Sequence, residues 1–464
     1  MASDESASLP FAGRLSGWLR TLLARLLEGE RSALTRLAGT AFLVRALSAV
    51  IAYVSQILIA RWMGAFEFGI YVYVWTWAVM LGMLAPLGLG SAAQRFLPEY
   101  IERSQHGLLK GFLSGGRWLA FWIGTFFALL GVGVMWLLED RVDAFYLVPF
   151  LLAFAVLPLY GVSEVQDGIA RSYDWVGLAL APVYIARPLL ILAVMGGLHL
   201  AGYQADAVSA MAAATAATWL TTLGQTLELN RRLRERLTGI ADIARVHQRR
   251  TWFLVALPIF MIEGFYFLLT YADILTLQLF VGPEQVAVYY AATKTLAPVA
   301  FIYFSVAAAV THKFTAFHVA GERDKLERFL TDTIHWTFWP SLIATIGLLI
   351  IGRFILSMFG AGFEEGYPLM FVLSIGLLVR AAVGPVERLL IMVGEQTACA
   401  VIYAIAFVIN FALCLLLIPH YGLMGAAWAP TIAYIVESVM LFVVTKRRLG
   451  LHVFVLRRPR PALD

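Results

Sequence analysis

Apolar runs of about 20 residues or more recur from residue 40 to residue 445, separated by short polar breaks. A run of that length is what an α-helix needs to cross a hydrocarbon core about 30 Å thick, so lipid is the solvent this chain is built for. Lipid cannot satisfy a backbone N–H or C=O, which leaves only helices and closed barrels as spanning structures. Barrel strands alternate apolar and polar side chains over about 10 residues, and these runs do not. The chain therefore reads as an all-α polytopic membrane protein. Its composition agrees, with 14% charged residues where soluble domains carry about 25%.

The runs divide into twelve expected spans: 40–62, 68–90, 112–138, 145–169, 175–198, 206–229, 252–280, 285–311, 331–357, 367–393, 398–418 and 423–445. An even number returns both termini to one side, and Lys and Arg decide which side that is. On the side opposite the termini the loops carry only Arg61, Arg141 and Arg353, so both termini are expected in the cytoplasm. The formal charge of +5 thus reports topology, and no nucleic-acid partner is expected. Before the first span, Leu15, Trp18, Leu19, Leu22 and Leu26 share a helical face set against Arg14, Arg20, Arg25 and Arg31. That is the pattern of a helix lying in the membrane interface, and it places a cytoplasmic tail over 1–36.

A repeat organises the remainder. IARWMGAFEFGIYVYVW in the first two spans resembles LQLFVGPEQVAVYYAAT in the seventh and eighth, with Gly282 on Gly64 and Tyr289 on Tyr71; Trp336 falls on Trp118 at the same offset. Tyr367 on Tyr146 and Phe371 on Phe150 follow at a slightly longer one. Six spans between copies preserve their orientation, so the expected architecture is two parallel six-helix repeats around a central cavity. The bundles are placed at 37–229 and 252–445, joined by a basic cytoplasmic linker at 230–251 and followed by a basic tail at 446–464.

Charges inside the spans are the candidate functional residues, since each costs roughly 2.5 to 3.5 kcal/mol to insert. Arg187, Lys294 and Arg380 lie too deep to reach the interface, whereas Arg45 and Arg388 sit nearer cytoplasmic ends and can snorkel. Glu164, Asp167 and Arg171 share a face of the fourth span, and Arg380, Gly384, Glu387 and Arg388 form a similar stripe on the tenth. Asp273, Glu263 and Glu437 are further buried acids. Two uses of these charges stay open: structural pairing, or lining a wet path. A path bearing Arg187, Lys294 and Arg380 suits a pyrophosphate or anionic sugar better than an organic cation. Tyr266, Tyr271, Tyr289, Tyr290 and Tyr303 supply aromatic faces in the same spans.

Other functions are disfavoured by what is missing. There is no GxxxxGK[ST] loop, no HExxH, no GxSxG and no Cys/His cluster, so no nucleotide hydrolysis, metal or cofactor is expected, and the chain is not read as an enzyme. Cys399 and Cys414 lie on one span, about 22 Å apart at 1.5 Å rise, and cannot bond to each other.

The stretch ARWMGAFEFGIYVYVW, then LAPLGLGSAAQRFLPEY, with its echo DILTLQLFVGPEQVAVYYAATKTLAP, resembles Wzx-type polysaccharide flippases of the multidrug/oligosaccharidyl-lipid/polysaccharide exporter superfamily across residues 36 to 450. The resemblance implies translocation of an undecaprenyl-pyrophosphate-linked oligosaccharide from the cytoplasmic to the periplasmic leaflet of a bacterial inner membrane, for exopolysaccharide or O-antigen. It implies substrate binding at Arg187, Lys294, Arg380, Arg45 and Arg388, with Asp273 and Glu263 as coupling-ion candidates, and a polysaccharide polymerase or export machinery as partner. MATE-type cation-coupled drug exporters and lipid II flippases of the MurJ type are the neighbouring readings.

Overall fold

The structure, a computed structural model, describes residues 31–240 and 242–456, with side chains from Leu47 onward except at 240, 312, 315, 318 and 319. Residues 14–30 of the expected interfacial helix, the side chain of Arg45 and the end of the basic tail lie outside the described residues. Among the described residues all regular structure is helical.

The first element, α1 (Arg31–Leu84), has 54 residues. As a straight helix it would measure about 80 Å, more than twice a bilayer, so it must break. It does so at Gly64, whose φ of 79° is open to glycine at little cost. Then follow α2 (Leu89–Glu102), α3 (His106–Leu137), α4 (Ala144–Ser172), α5 (Val176–Ala181), a π-turn (Pro182–Ala186), α6 (Arg187–Leu200) and α7 (Ala207–Arg236). The later elements are α8 (Arg249–Leu277), α9 (Pro283–Thr295), α10 (Ala297–Val319), α11 (Arg323–Ser357), α12 (Tyr367–Val383), α13 (Val386–Met392), α14 (Gln396–Tyr421) and α15 (Leu423–Leu449).

By length and apolarity, nine helices among the described residues can cross a membrane, or ten with α9 and α10 taken as one bent span. The expected count of twelve is not reached by this measure, for two physical reasons. The first two expected spans run on as one element across Gly64, and α7 is too polar to qualify. Its polar residues are buried against α4: Gln166 donates to Thr226 at 2.6 Å, Ser163 to Gln225 at 3.2 Å, and Thr215 to the Leu152 carbonyl at 3.1 Å. The tenth expected span is also broken. Gly384 (φ 70°) and Pro385, which has no N–H to donate, end α12, so Arg380 and Glu387 do not share one continuous helical stripe.

Residues matched by the repeat occupy like environments. Tyr71 and Tyr289 are both fully buried, and Trp118 and Trp336 both face outward. Phe150 is buried where Phe371 is exposed, so that pair does not follow the pattern.

Packing positions the site. α8 lies against α1 and α2 as well as α14 and α15, so it touches both sets of helices. At one end Trp252 donates to the Tyr100 hydroxyl at 2.8 Å, and Ser91 donates to Glu263 at 2.6 Å. At the other end α1 closes on α9. Phe68 packs edge-on against Tyr290 and Phe363, and the Tyr53 hydroxyl lies 2.8 Å from the Thr295 hydroxyl. Gly69 permits this approach, because a Cβ there would stand 1.9 Å from the Pro283 carbonyl oxygen.

Candidate functional site

Each of the three deep cations sits beside a break in its helix, and in each case a proline follows within five residues. Arg187 ends the π-turn: its N–H donates to the Pro182 carbonyl, five residues back, and Pro188 has no N–H of its own. Such turns re-aim side chains and gather at functional positions. The Arg187 guanidinium lies 4.9 Å from the centre of the Tyr160 ring and 5.6 Å from that of Trp75. Glu164 lies one turn along α4 from Tyr160, within electrostatic reach, yet no described ion pair joins it to Arg187.

Lys294 precedes the 44° bend between α9 and α10, where Pro298 removes a donor from the first turn of α10. Its ammonium lies 4.9 Å from the centre of the Tyr290 ring. With Asp273, Thr270, Tyr271, Thr431 and Tyr434 it lines a cavity of about 200 Å³. Asp273 is held otherwise: Tyr289 donates to its Oδ2 at 2.6 Å and the Ile274 N–H to its Oδ1 at 2.8 Å. Lys294 and Asp273 attract across the cavity without an ion pair inside 4.0 Å. The carboxylate thus accepts two hydrogen bonds, and the ammonium lines the space.

Arg380, one turn before the Gly384 break, is enclosed. Tyr303, Tyr434, Tyr266 and Phe304 present ring centres 4.8, 5.4, 5.5 and 5.9 Å from its guanidinium carbon. Its Nε lies 3.4 Å from Glu437, a residue with 0% of its surface exposed. That spacing is an ion pair, but its alignment is not that of a hydrogen bond, and Arg380 Nε and both Glu437 carboxylate oxygens have no hydrogen-bond partner. Beyond the break, Tyr303 donates to Glu387 at 2.6 Å. Arg388, 3.8 Å from Glu387 with a side chain 45% exposed, stands apart from the enclosed group. Glu263 is engaged by Ser91 on α2, far along α8 from Asp273.

Two tyrosines connect these environments. Tyr271 lies within electrostatic reach of Tyr160, Tyr290 and Tyr266, one aromatic neighbour of each deep cation. Tyr434 lines the Lys294 cavity and also faces Arg380. The five tyrosines singled out in the sequence all fall here, while Tyr160, Trp75, Tyr434 and the pairing of Glu437 with Arg380 are found only in three dimensions. One linear signal marks them: Arg187–Pro188, Lys294–Pro298 and Arg380–Pro385 each set a cation just ahead of a proline. Among the described residues no group of three His, Cys, Asp or Glu side chains could hold a metal.

This arrangement can stabilise a diffuse negative charge. A desolvated cation over an aromatic ring gains about 2 kcal/mol, which offsets part of the cost of burial without neutralising the charge.

Comparison with known proteins gives concordant results. The family described as polysaccharide biosynthesis protein matches residues 35–311, and that described as lipid II flippase MurJ matches residues 183–457, each more than half of the chain. No curated protein matches in sequence. An inward-facing multidrug resistance MATE family transporter of the MOP superfamily aligns at 14% identity with a TM-score of 0.70, covering 88% of this chain and 98% of that one. Lipid II flippase MurJ in an inward closed conformation aligns at 15% identity with a TM-score of 0.69, covering 88% and 87%. A MOP superfamily transporter from Pyrococcus furiosus, whose structure was reported for the reverse polarity of its binding pocket, aligns at 14% identity with a TM-score of 0.60, covering 92% and 97%. With its helical spans and both family matches, the chain belongs to the polysaccharide biosynthesis protein family, matches that of the lipid II flippase MurJ, and has a fold like those of the MOP superfamily transporters above.

Proposed function

We propose that the protein moves a lipid-linked oligosaccharide carrying an undecaprenyl pyrophosphate from the cytoplasmic to the periplasmic leaflet of a bacterial inner membrane, by alternating access. The observation that carries this reading is Lys294: an ammonium lining a cavity, with the acid across it, Asp273, hydrogen-bonded by Tyr289 and a backbone N–H. A cavity whose ammonium has no described ion pair within 4.0 Å favours an anionic headgroup over the organic cations that a drug exporter carries. Arg187 and Arg380, reached through Tyr271 and Tyr434, would hand the pyrophosphate on. Arg388 lies to one side, and its part, like that of Arg45, would be in entry from the cytoplasmic face. Asp273 is the better placed coupling-ion candidate, since Glu263 is engaged outside the cavity.

This reading divides the chain at the linker 230–251 into two six-helix bundles with both termini in the cytoplasm. A polymerase that consumes the flipped lipid is the expected partner. In liposomes holding a fluorescent lipid-linked sugar, Lys294→Ala should fold normally and flip at least tenfold more slowly, as loss of one charge-assisted contact implies. Undiminished flipping by Lys294→Ala and by Arg380→Ala would overturn the assignment. A second reading, transport of lipid II, is favoured by the lipid II flippase match over residues 183–457. Competition between the two lipids in the same liposomes separates the readings.

A further inference from the structure

Away from the deep cations, a cavity of about 600 Å³ opens at the linker end of the molecule between α3, α7 and the linker residues that follow. Four cations line it: Lys110 and Arg117 from α3, Arg234 from α7 and Arg245 from the linker. No Asp or Glu lines it, and no described ion pair joins Arg117, Arg234 or Arg245 to a carboxylate. Two of the cations are built in. Lys110 donates to the Ile243 carbonyl at 2.8 Å, which ties the linker to α3, and Arg117 donates to Asn230 at 2.8 Å and to the Leu113 carbonyl at 2.7 Å, which ties α3 to α7. Arg117 and Arg245 nevertheless repel each other. Arg117 and Arg245, like charges with no described ion pair to a carboxylate, lower their energy when an anion enters, and the volume is in the range of small-molecule sites.

The walls of the cavity identify the anion. Trp118 is both a lining residue and exposed, and it begins a stripe on α3 with Trp122 and Phe126, spaced four residues apart and all exposed. A molecule seated here would have its phosphate among the cations and its acyl chains along that stripe, with tryptophan at the depth where membrane proteins prefer it. We propose that this cavity is a binding site for an anionic phospholipid headgroup, separate from the transport path. A soluble phosphate ester offers the cations the same group but has no use for the stripe.

The test is native mass spectrometry of the full chain in detergent, titrated with phosphatidylglycerol. Arg234→Gln with Arg245→Gln, both exposed side chains that leave the Lys110 and Arg117 bonds in place, should weaken binding about 25-fold, or about fivefold for each charge removed. Lys446→Gln with Arg447→Gln removes the same charge from the other end of the chain and should leave binding unchanged. Phosphatidylcholine should bind no more tightly to the original protein than to the variant. Equal losses in the two double variants would mean general attraction and overturn the site. So would displacement of the lipid by glycerol phosphate at equal concentration, which would mark a soluble phosphate site.

Discussion

Glu437→Gln tests the enclosed pair most directly. The change keeps shape and removes one charge, leaving the Arg380 guanidinium with four aromatic rings inside 6 Å and no carboxylate at 3.4 Å. Breaking a buried pair on one side costs about 3–5 kcal/mol, because the surviving charge stays desolvated. The rings face the guanidinium before and after the change, so their contribution cancels and the net loss should be about 3–5 kcal/mol. Removing both charges with Arg380→Met and Glu437→Leu should recover most of it, since well-packed apolar replacements of buried pairs are close to neutral. Urea unfolding in detergent, followed by tryptophan fluorescence, completes the cycle through the two single variants and the double one. If the double variant is as unstable as the sum of the singles, the two residues are not coupled and the reading of the site as a charge pair in an aromatic enclosure fails.

Lys294→Met should behave in the opposite way, with unfolding free energy changed little while flipping is lost, because this half-buried charge has no described ion pair within 4.0 Å; a loss above about 2 kcal/mol would make its role structural. Tyr289→Phe removes the donor to Asp273 Oδ2 from a fully buried position, and about 1–3 kcal/mol should be lost in the same unfolding experiment. Gly69→Ala places a methyl 1.9 Å from the Pro283 carbonyl oxygen, so α1 and α9 must separate. Spin labels on the two helices should show that end opened, and an unchanged distance distribution would argue against close packing as its seal.

The deep cations were visible in the sequence as costs, because insertion energy depends on a residue and its depth alone. Their surroundings were not. Arg380 and Glu437 are brought together by the packing of α12 on α15, and Arg187 meets Tyr160 and Trp75 on two other helices. Asp273 stays open in the sequence between structural pairing and a part in the path, and Tyr289, from a position two turns into α9 that hydropathy does not distinguish, donates to its carboxylate. The stripe from Arg380 to Arg388 failed for a local reason, the Gly384–Pro385 break, which the sequence did display.

By itself the sequence determined that this chain lives in lipid, that its backbone is helical, and which charges are costly. All of these follow from local hydropathy or from the need to satisfy the backbone in hydrocarbon. Only the tertiary structure decided which charges are neutralised and which face space. The bending of α9 into α10 and the π-turn before Arg187 direct the side chains. The neighbours they meet come from helices far away in the chain, and a buried charge is spent or kept according to those neighbours.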